Sequence, residues 1–301
     1  MIAAGRGSLP WQRDVVDVIG NACVMGRGRD ARAIATWRRL GGTPPVSHWQ
    51  LDTASGRFFV KVAAIGERDA LDAERDGLQA IAATRTVRVP TIIDCAEVAG
   101  VAFLVLEWLE IVRSGGGAAL GAALARMHAS LSPRFGWHRD NRIGATPQLN
   151  AWGDDWSVFF RDRRLAPQIE LAARNGHVDL AREGRKLLER VPALLANHRP
   201  SASLLHGDLW SGNAATLVDG EPVILDPAVY YGDAEADVAM ASLFGGFDAS
   251  FFEAHASAAP PAAGQARRRT LYNLYHVLNH ANLFGGGYPA QAQRMMDELN
   301  G

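Results

Sequence analysis

Leu204-Leu205-His206-Gly207-Asp208-Leu209-Trp210-Ser211-Gly212-Asn213, followed thirteen positions on by Asp226, is the stretch from which the fold is read. An apolar pair, Leu204–Leu205, precedes the polar residues, and a short apolar run, Val223–Leu225, delivers Asp226. Two carboxylates and an amide this close, set between short β-like runs, can bind Mg²⁺ and handle the proton of a nucleophile. Asn213 offers a neutral oxygen and Asp226 a charged one, which suits a cation that prefers hard oxygens and keeps several waters. Singly, Asp, Gly and Asn are common turn residues, and Asp208 alone reads as a helix cap. Their spacing across 21 positions, flanked by apolar runs, is what points to a site.

Composition narrows the class. The chain has 301 residues, enough for two sub-domains with sizeable cores, and 48% of them are hydrophobic against 21% charged. With 31 basic and 32 acidic residues, the net charge of −1 gives no reason to expect nucleic acid or an anionic membrane as partner. Two cysteines, Cys23 and Cys95, cannot form a disulfide framework. The first ten residues lack a signal-peptide core, and no apolar run approaches the ~18 residues that span a bilayer. A soluble cytoplasmic protein is expected.

Along the chain, apolar spacing predicts a short helix over 11–25. A hairpin follows, with strands at 47–51 and 57–62 about the polar turn 52–56, and Lys61 near the end of the second strand. Residues 67–83 read as a helix with Leu71, Leu78 and Ile81 on one side and Glu74 within it. Val89-Pro90 opens an extended segment, and Val101–Leu106 suits a buried strand. Gly115-Gly116-Gly117 reads as a hinge linker. Helices then dominate, over 118–129, 155–165, 180–195, 235–244, 251–255 and 267–283. His276 and His280 lie one helical turn apart, without the glutamate of a metalloprotease helix, so a packed polar face is expected. Arg267-Arg268-Arg269 reads as a solvated turn. Strands first and helices later predict an α+β protein of two lobes, residues 1–109 and 110–301, with the site between them.

A histidine, an Asp two on, an Asn five beyond and then another Asp is the spacing of a kinase catalytic loop and metal-binding aspartate. In that setting Asp208 aims the attacking hydroxyl and takes its proton. His206 is expected to hold the loop's shape. Lys61, in Phe58-Phe59-Val60-Lys61, matches the lysine-bearing strand of kinases, with Glu74 as the helix glutamate that steers it. Gly41-Gly42-Thr43 falls where a phosphate-covering loop belongs, although Pro44-Pro45 removes two backbone donors there. If Leu106-Glu107-Trp108-Leu109 is the hinge, the carbonyl of Glu107 and the N–H of Leu109 meet the adenine edge.

These motifs, with Asp226-Pro-Ala-Val-Tyr-Tyr-Gly232, Glu235-Ala-Asp-Val-Ala-Met240, Leu243-Phe-Gly-Gly-Phe247 and Leu271-Tyr-Asn-Leu-Tyr-His-Val-Leu-Asn-His280, resemble the fructosamine kinase (ketosamine-3-kinase) family. Asn141, Gln148 and Asn150 belong to the same resemblance, which runs from about the glycine turn to the carboxyl end. It implies a protein-kinase-like fold related to aminoglycoside and choline kinases. It also implies an enzyme that uses ATP and Mg²⁺ to phosphorylate the 3-hydroxyl of the sugar in ribulosamines or fructosamines, free or on glycated protein. The 3-phosphate then promotes loss of the sugar. Carried over by position, Asp208 is the base, Asn213 and Asp226 the metal ligands, and Lys61 with Glu74 the phosphate clamp. Asp237 braces the catalytic loop through backbone N–H groups. Trp210 stands where many protein kinases carry a basic residue, and can stack on the ketose or simply pack the loop. The chain departs from relatives that carry a cysteine beside Gly41-Gly42-Thr43. Two other readings stay open: a small-molecule kinase of the aminoglycoside or choline type, and a non-catalytic nucleotide-binding pseudokinase.

Overall fold

In a computed structural model, the described residues are Ile19, 36–42 and 44–301. Thr43 and, apart from Ile19, the helix expected over 11–25 lie outside them. Contacts group the described residues up to Arg75 with Pro90–Trp108, and Asp76–Val89 with Leu109–Gly301.

The first unit is built on one antiparallel sheet. Its strands are β1 (Thr36–Gly41), β2 (Ser47–Thr53), β3 (Gly56–Ala64), β4 (Ile92–Val98) and β5 (Val101–Glu107), in the order β1-β2-β3-β5-β4. The polar turn between β2 and β3 closes with Thr53 opposite Gly56, whose φ of 137° suits glycine. β5 lies between β3 and β4, and Ala102–Leu106 are buried throughout. Burial on both faces explains an unbroken apolar run where a half-exposed strand would alternate. The segment opened by Val89-Pro90 becomes β4, an edge strand. Helix α1 (Arg68–Thr84) buries Leu71, Leu78 and Ile81 on one face, and its first two turns belong to this unit.

The second unit is mainly helical: α2 (Ala118–His128), α3 (Trp156–Phe160), α4 (Ala166–Arg174), α5 (Val178–Leu194), α6 (Glu235–Leu243), α7 (Ala249–Ala258), α8 (Gln265–Phe284) and α9 (Tyr288–Asn300). A π-helical turn, Arg161–Leu165, joins α3 to α4. The core gathers Trp156, Phe160, Leu187, Tyr272, Leu278 and Met296. Asp155 and Asp248 cap α3 and α7 by accepting the N–H of Val158 and Phe251. Short strands fill the gaps: β6 (Ile111–Ser114), β7 (Leu131–Ser132), β8 (Asn141–Ile143), β9 (Thr146–Gln148), β10 (Ala202–Leu205), β11 (Ala214–Leu217), β12 (Pro222–Ile224) and β13 (Tyr230–Gly232). They pair as β13-β10-β7, β12-β11-β6 and β8-β9.

Two expectations are corrected. Gly115–Gly117 is not a hinge linker, because the Gly115 N–H donates to the carbonyls of Ser211 (3.1 Å) and Ala214 (2.7 Å). A Cβ on Gly115 would lie 1.8 Å from the Gly246 carbonyl, so glycine is needed there for close packing. Of Arg267–Arg269, the two outer arginines are exposed as expected, but the middle one is not. Arg268 is buried and donates to both carboxylate oxygens of Glu235 at 2.7 and 2.8 Å, joining α8 to the start of α6.

Candidate active site

Strand β10 is buried along its whole length and ends at the catalytic-type loop. Asp237, in the first turn of α6, accepts the N–H of His206 at 2.7 Å and of Gly207 at 2.9 Å. The fully buried His206 ring works in two directions. Its Nδ1 accepts the Asp208 N–H at 3.2 Å, and its Nε2–H donates to the Leu225 carbonyl at 2.8 Å. Burial lowers its pKa against the pull of Asp237, in keeping with that neutral tautomer. Two backbone bonds finish the assembly, from Leu225 N–H to Asn213 O (2.9 Å) and from Ala228 N–H to His206 O (2.8 Å). Asp208, Asn213 and Asp226 are thereby fixed in one constellation. Asp226 has a left-handed backbone, φ 51°, of the kind seen where structure serves a site.

Gly207 is tightly constrained. Its φ is 82°, and a Cβ would stand 2.1 Å from the Ala228 carbonyl. Gly207→Ala is expected to cost about 2–4 kcal/mol in urea denaturation, from overpacking plus backbone strain, and to lower activity sharply. A variant as stable and active as wild type would show that this approach is not fixed.

Burial first, and the negative charge of Asp226 second, raise the Asp208 pKa from 3.8 to about 7. Asn213 uses its amide Nδ2 to donate to the Asp208 carbonyl (2.9 Å) and to Asp208 Oδ2 (3.2 Å). Its carbonyl oxygen is then the atom it has to offer a cation. Two mutually repelling acids and an amide oxygen form a hard donor set that a divalent cation relieves, so these residues fit Mg²⁺.

Behind Asp226 lies a buried polar layer whose structural part cannot be read from spacing. Asn141 donates to Val229 O (2.8 Å), Gln148 donates to Ala228 O (3.0 Å), and the Tyr275 hydroxyl donates to Gln148 Oε1 (2.8 Å). Arg164, in the π-helical turn, is entirely buried and donates to Asn150 Oδ1 at 2.7 Å, with its guanidinium 3.9 Å above the Tyr230 ring. His128 of α2 was also missed. Its Nε2 lies 3.1 Å from Asp237 Oδ2. His276 and His280 form a packed helix face: His280 Nδ1–H donates to the His276 carbonyl (2.9 Å), and its ring lies 4.8 Å from that of Phe244.

In the first unit, Lys61 is buried on β3 and its ammonium meets Glu74 Oε2 of α1 at 2.7 Å. Glu107 ends β5, donates its N–H to Thr91 O (2.9 Å) and accepts the Thr91 N–H on Oε1 (3.0 Å). Gly41 and Gly42 have φ of 144° and 103°, at the end of β1 and just beyond. In the second unit, Leu109 packs beside Ala215, Leu217 and Val223. Trp210 folds over Gly212, where a Cβ would lie 2.2 Å from the indole, yet 40% of the residue stays exposed.

A family model for fructosamine kinase matches residues 26–300. The chain belongs to the fructosamine kinase family. Family membership makes it a phosphotransferase. A Synechocystis protein with the provisional name ketoamine kinase is 48% identical over 246 residues, 80% of this chain and 82% of its own. The protein-ribulosamine 3-kinase of Arabidopsis thaliana chloroplasts is 42% identical, over 84% of this chain and 78% of its own. A crystal structure from Haemophilus somnus, provisionally named a fructosamine-3-kinase, superposes with a TM-score of 0.84 at 25% identity, over 93% of this chain and 96% of that one. The kinase-like α+β fold extends to an aminoglycoside phosphotransferase in ternary complex with ADP and hygromycin B, with TM-score 0.60 at 16% identity over 93% of this chain and 97% of that one. Among the described residues, no helix is long and apolar enough to cross a membrane.

Proposed function

We propose that this fructosamine kinase is an ATP-dependent ketosamine 3-kinase, moving the γ-phosphoryl group to the 3-hydroxyl of a ribulosamine or fructosamine. The observation that carries the reading is the constellation of Asp208, Asn213 and Asp226 in and beside the loop that holds Trp210, with Asn213 Nδ2 donating to Asp208 Oδ2 and the Leu225 N–H tied to Asn213 O. Asp208 accepts the proton of the 3-hydroxyl as that oxygen bonds phosphorus and ADP departs. A group titrating near the working pH suits proton transfer, worth roughly 10²–10⁴-fold. Asn213 and Asp226 would hold Mg²⁺, which would supply positive charge to offset the phosphates. The Lys61–Glu74 pair orients the α/β-phosphates, with Gly41, Gly42 and Thr43 covering them and the Glu107–Leu109 backbone meeting adenine. The names of the ketoamine and ribulosamine kinase relatives support the acceptor class. The joint presence of Lys61, Glu74, Asp208, Asn213 and Asp226 supports an active enzyme over a pseudokinase.

The test is a rate comparison with MgATP, using ribulose-lysine, fructose-lysine, an aminoglycoside and choline, with product phosphate located by ³¹P NMR. Phosphate on the ketose 3-hydroxyl is expected. Turnover of the aminoglycoside or choline without turnover of either ketosamine would overturn the reading. Trp210 supplies a second check. If its part-exposed indole stacks on the ketose, Trp210→Ala raises the ketosamine KM roughly tenfold and leaves the ATP KM within about twofold. An unchanged ketosamine KM would return Trp210 to loop packing.

A further inference from the structure

Helices α2 and α7 touch backbone to backbone. A Cβ on Gly121 would lie 2.1 Å from the Phe251 carbonyl, so only glycine permits that approach. From this contact His128 lies two turns along α2, and His255 one turn along α7. The two rings meet as a result, with Nδ1 of His128 3.1 Å from Nε2 of His255. Both residues are buried, at 4% and 6% exposure. The other ring nitrogen of His128 lies 3.1 Å from Asp237 Oδ2. That carboxylate oxygen also accepts the His206 N–H at 2.7 Å.

The directions of these bonds can be worked out. An ionised carboxylate only accepts, so Nε2 of His128 carries the proton. With both rings uncharged, Nδ1 of His128 is a bare acceptor and Nε2 of His255 carries the proton between them. Burial lowers the His255 pKa to about 4, so it stays neutral at working pH. The chain of donors then runs from His255 to His128 to Asp237, which also receives the backbone N–H groups of the loop bearing Asp208.

We propose that His255, on a helix outside the loop, is a positioning residue for phosphoryl transfer. Its Nε2–H locks the ring orientation and tautomer of His128, which in turn holds the Asp237 carboxylate at the correct angle to the His206 and Gly207 amides. This rests on the kinase reading given above. Its role is transmitted to the geometry of Asp208 and leaves nucleotide binding largely untouched.

The experiment compares wild type, His255→Gln and His255→Leu in ketosamine phosphorylation, with circular dichroism to check folding. Glutamine retains an N–H donor near the Nε2 position, whereas leucine fills the space without one. His255→Leu is expected to lose on the order of tenfold in kcat with the ATP KM within about twofold, and His255→Gln to stay within about threefold of wild type. A leucine variant with wild-type kcat, or a glutamine variant that falls as far as leucine, overturns the proposal. A wild-type enzyme inert toward every ketosamine fails the kinase reading instead. ¹⁵N NMR of histidine-labelled wild type gives an answer independent of variant folding. His128 is expected as the Nε2–H tautomer with an unprotonated Nδ1, and a proton found on its Nδ1 overturns the proposed direction of the chain.

Discussion

Asp208→Asn is expected to lose roughly a thousandfold in kcat, the scale of a removed general base, and yet to melt higher than wild type at pH 8. The first half follows from chemistry, since an amide cannot take the proton of the 3-hydroxyl. The second follows from linkage. In the folded chain the Asp208 pKa is raised from 3.8 to about 7. A carboxyl with a raised pKa binds its proton more tightly folded than unfolded. Wild-type stability therefore falls as pH rises from about 4 through 7 and carries the full penalty above that. Asparagine never ionises and can still accept the Asn213 amide. With chelator present, the gain at pH 8 should be on the order of 1–3 kcal/mol, discounted for partial solvent access, and should vanish at pH 4. A variant less stable than wild type at pH 8, or one that still turns over, would sink the assignment. Such a trade between stability and activity is the usual mark of a group placed for its reaction.

Asp237→Ala should have the largest effect on folding. One side chain accepts the backbone N–H groups of His206 and Gly207 and faces Nε2 of His128, all buried. Burial pushes the Asp237 carboxyl up, but the His128 hydrogen bond and the Gly207 N–H work against it, and the pKa is held below the usual range. Its stabilisation is thus present above pH ~4 and lost only as pH falls through the lower folded value. Alanine orphans three buried donors at once. A loss of about 3–5 kcal/mol in urea denaturation at pH 7 is expected, together with all measurable phosphorylation. Asp237→Asn keeps a single acceptor oxygen and turns an amide toward a backbone N–H, so it should fall between the two. A loss under about 1 kcal/mol for alanine would mean that the loop is held by other bonds.

Local pattern explains what was legible in the sequence. The β2–β3 hairpin and helix α1 follow short-range patterns, β5 is an unbroken apolar run, and Lys61 and Glu74 lie within the first two. Asp208, Asn213 and Asp226 stood out because one hairpin separates them in sequence and two backbone bonds reunite them in space. Strands β7, β8, β9 and β13 are two to three residues long, too short for any alternation to register. Helix α9 is absent from the expected helices, and three glycines, Gly285–Gly287, separate it from α8. His128 and His255 lie 127 positions apart, and only the glycine contact between α2 and α7 brings them together. Arg268 looked solvated because its partner, Glu235, is thirty-three residues away. Tertiary pairing of polar groups leaves no period to find.

The hairpin β11–β12 carries a lesson about spacing itself. Asn213 and Asp226 are tied by the Leu225 N–H to Asn213 O bond at its base, while its tip, Val218–Glu221, lies exposed. The number of residues between these two proposed ligands is therefore set by the length of an outer loop and has no bearing on the proposed reaction. Peptide can be inserted at Asp219–Gly220, or the chain opened there, without moving either oxygen, because the connection is topological and the alignment is made by bonds at the root. That tip is accordingly the natural place to splice in a reporter domain.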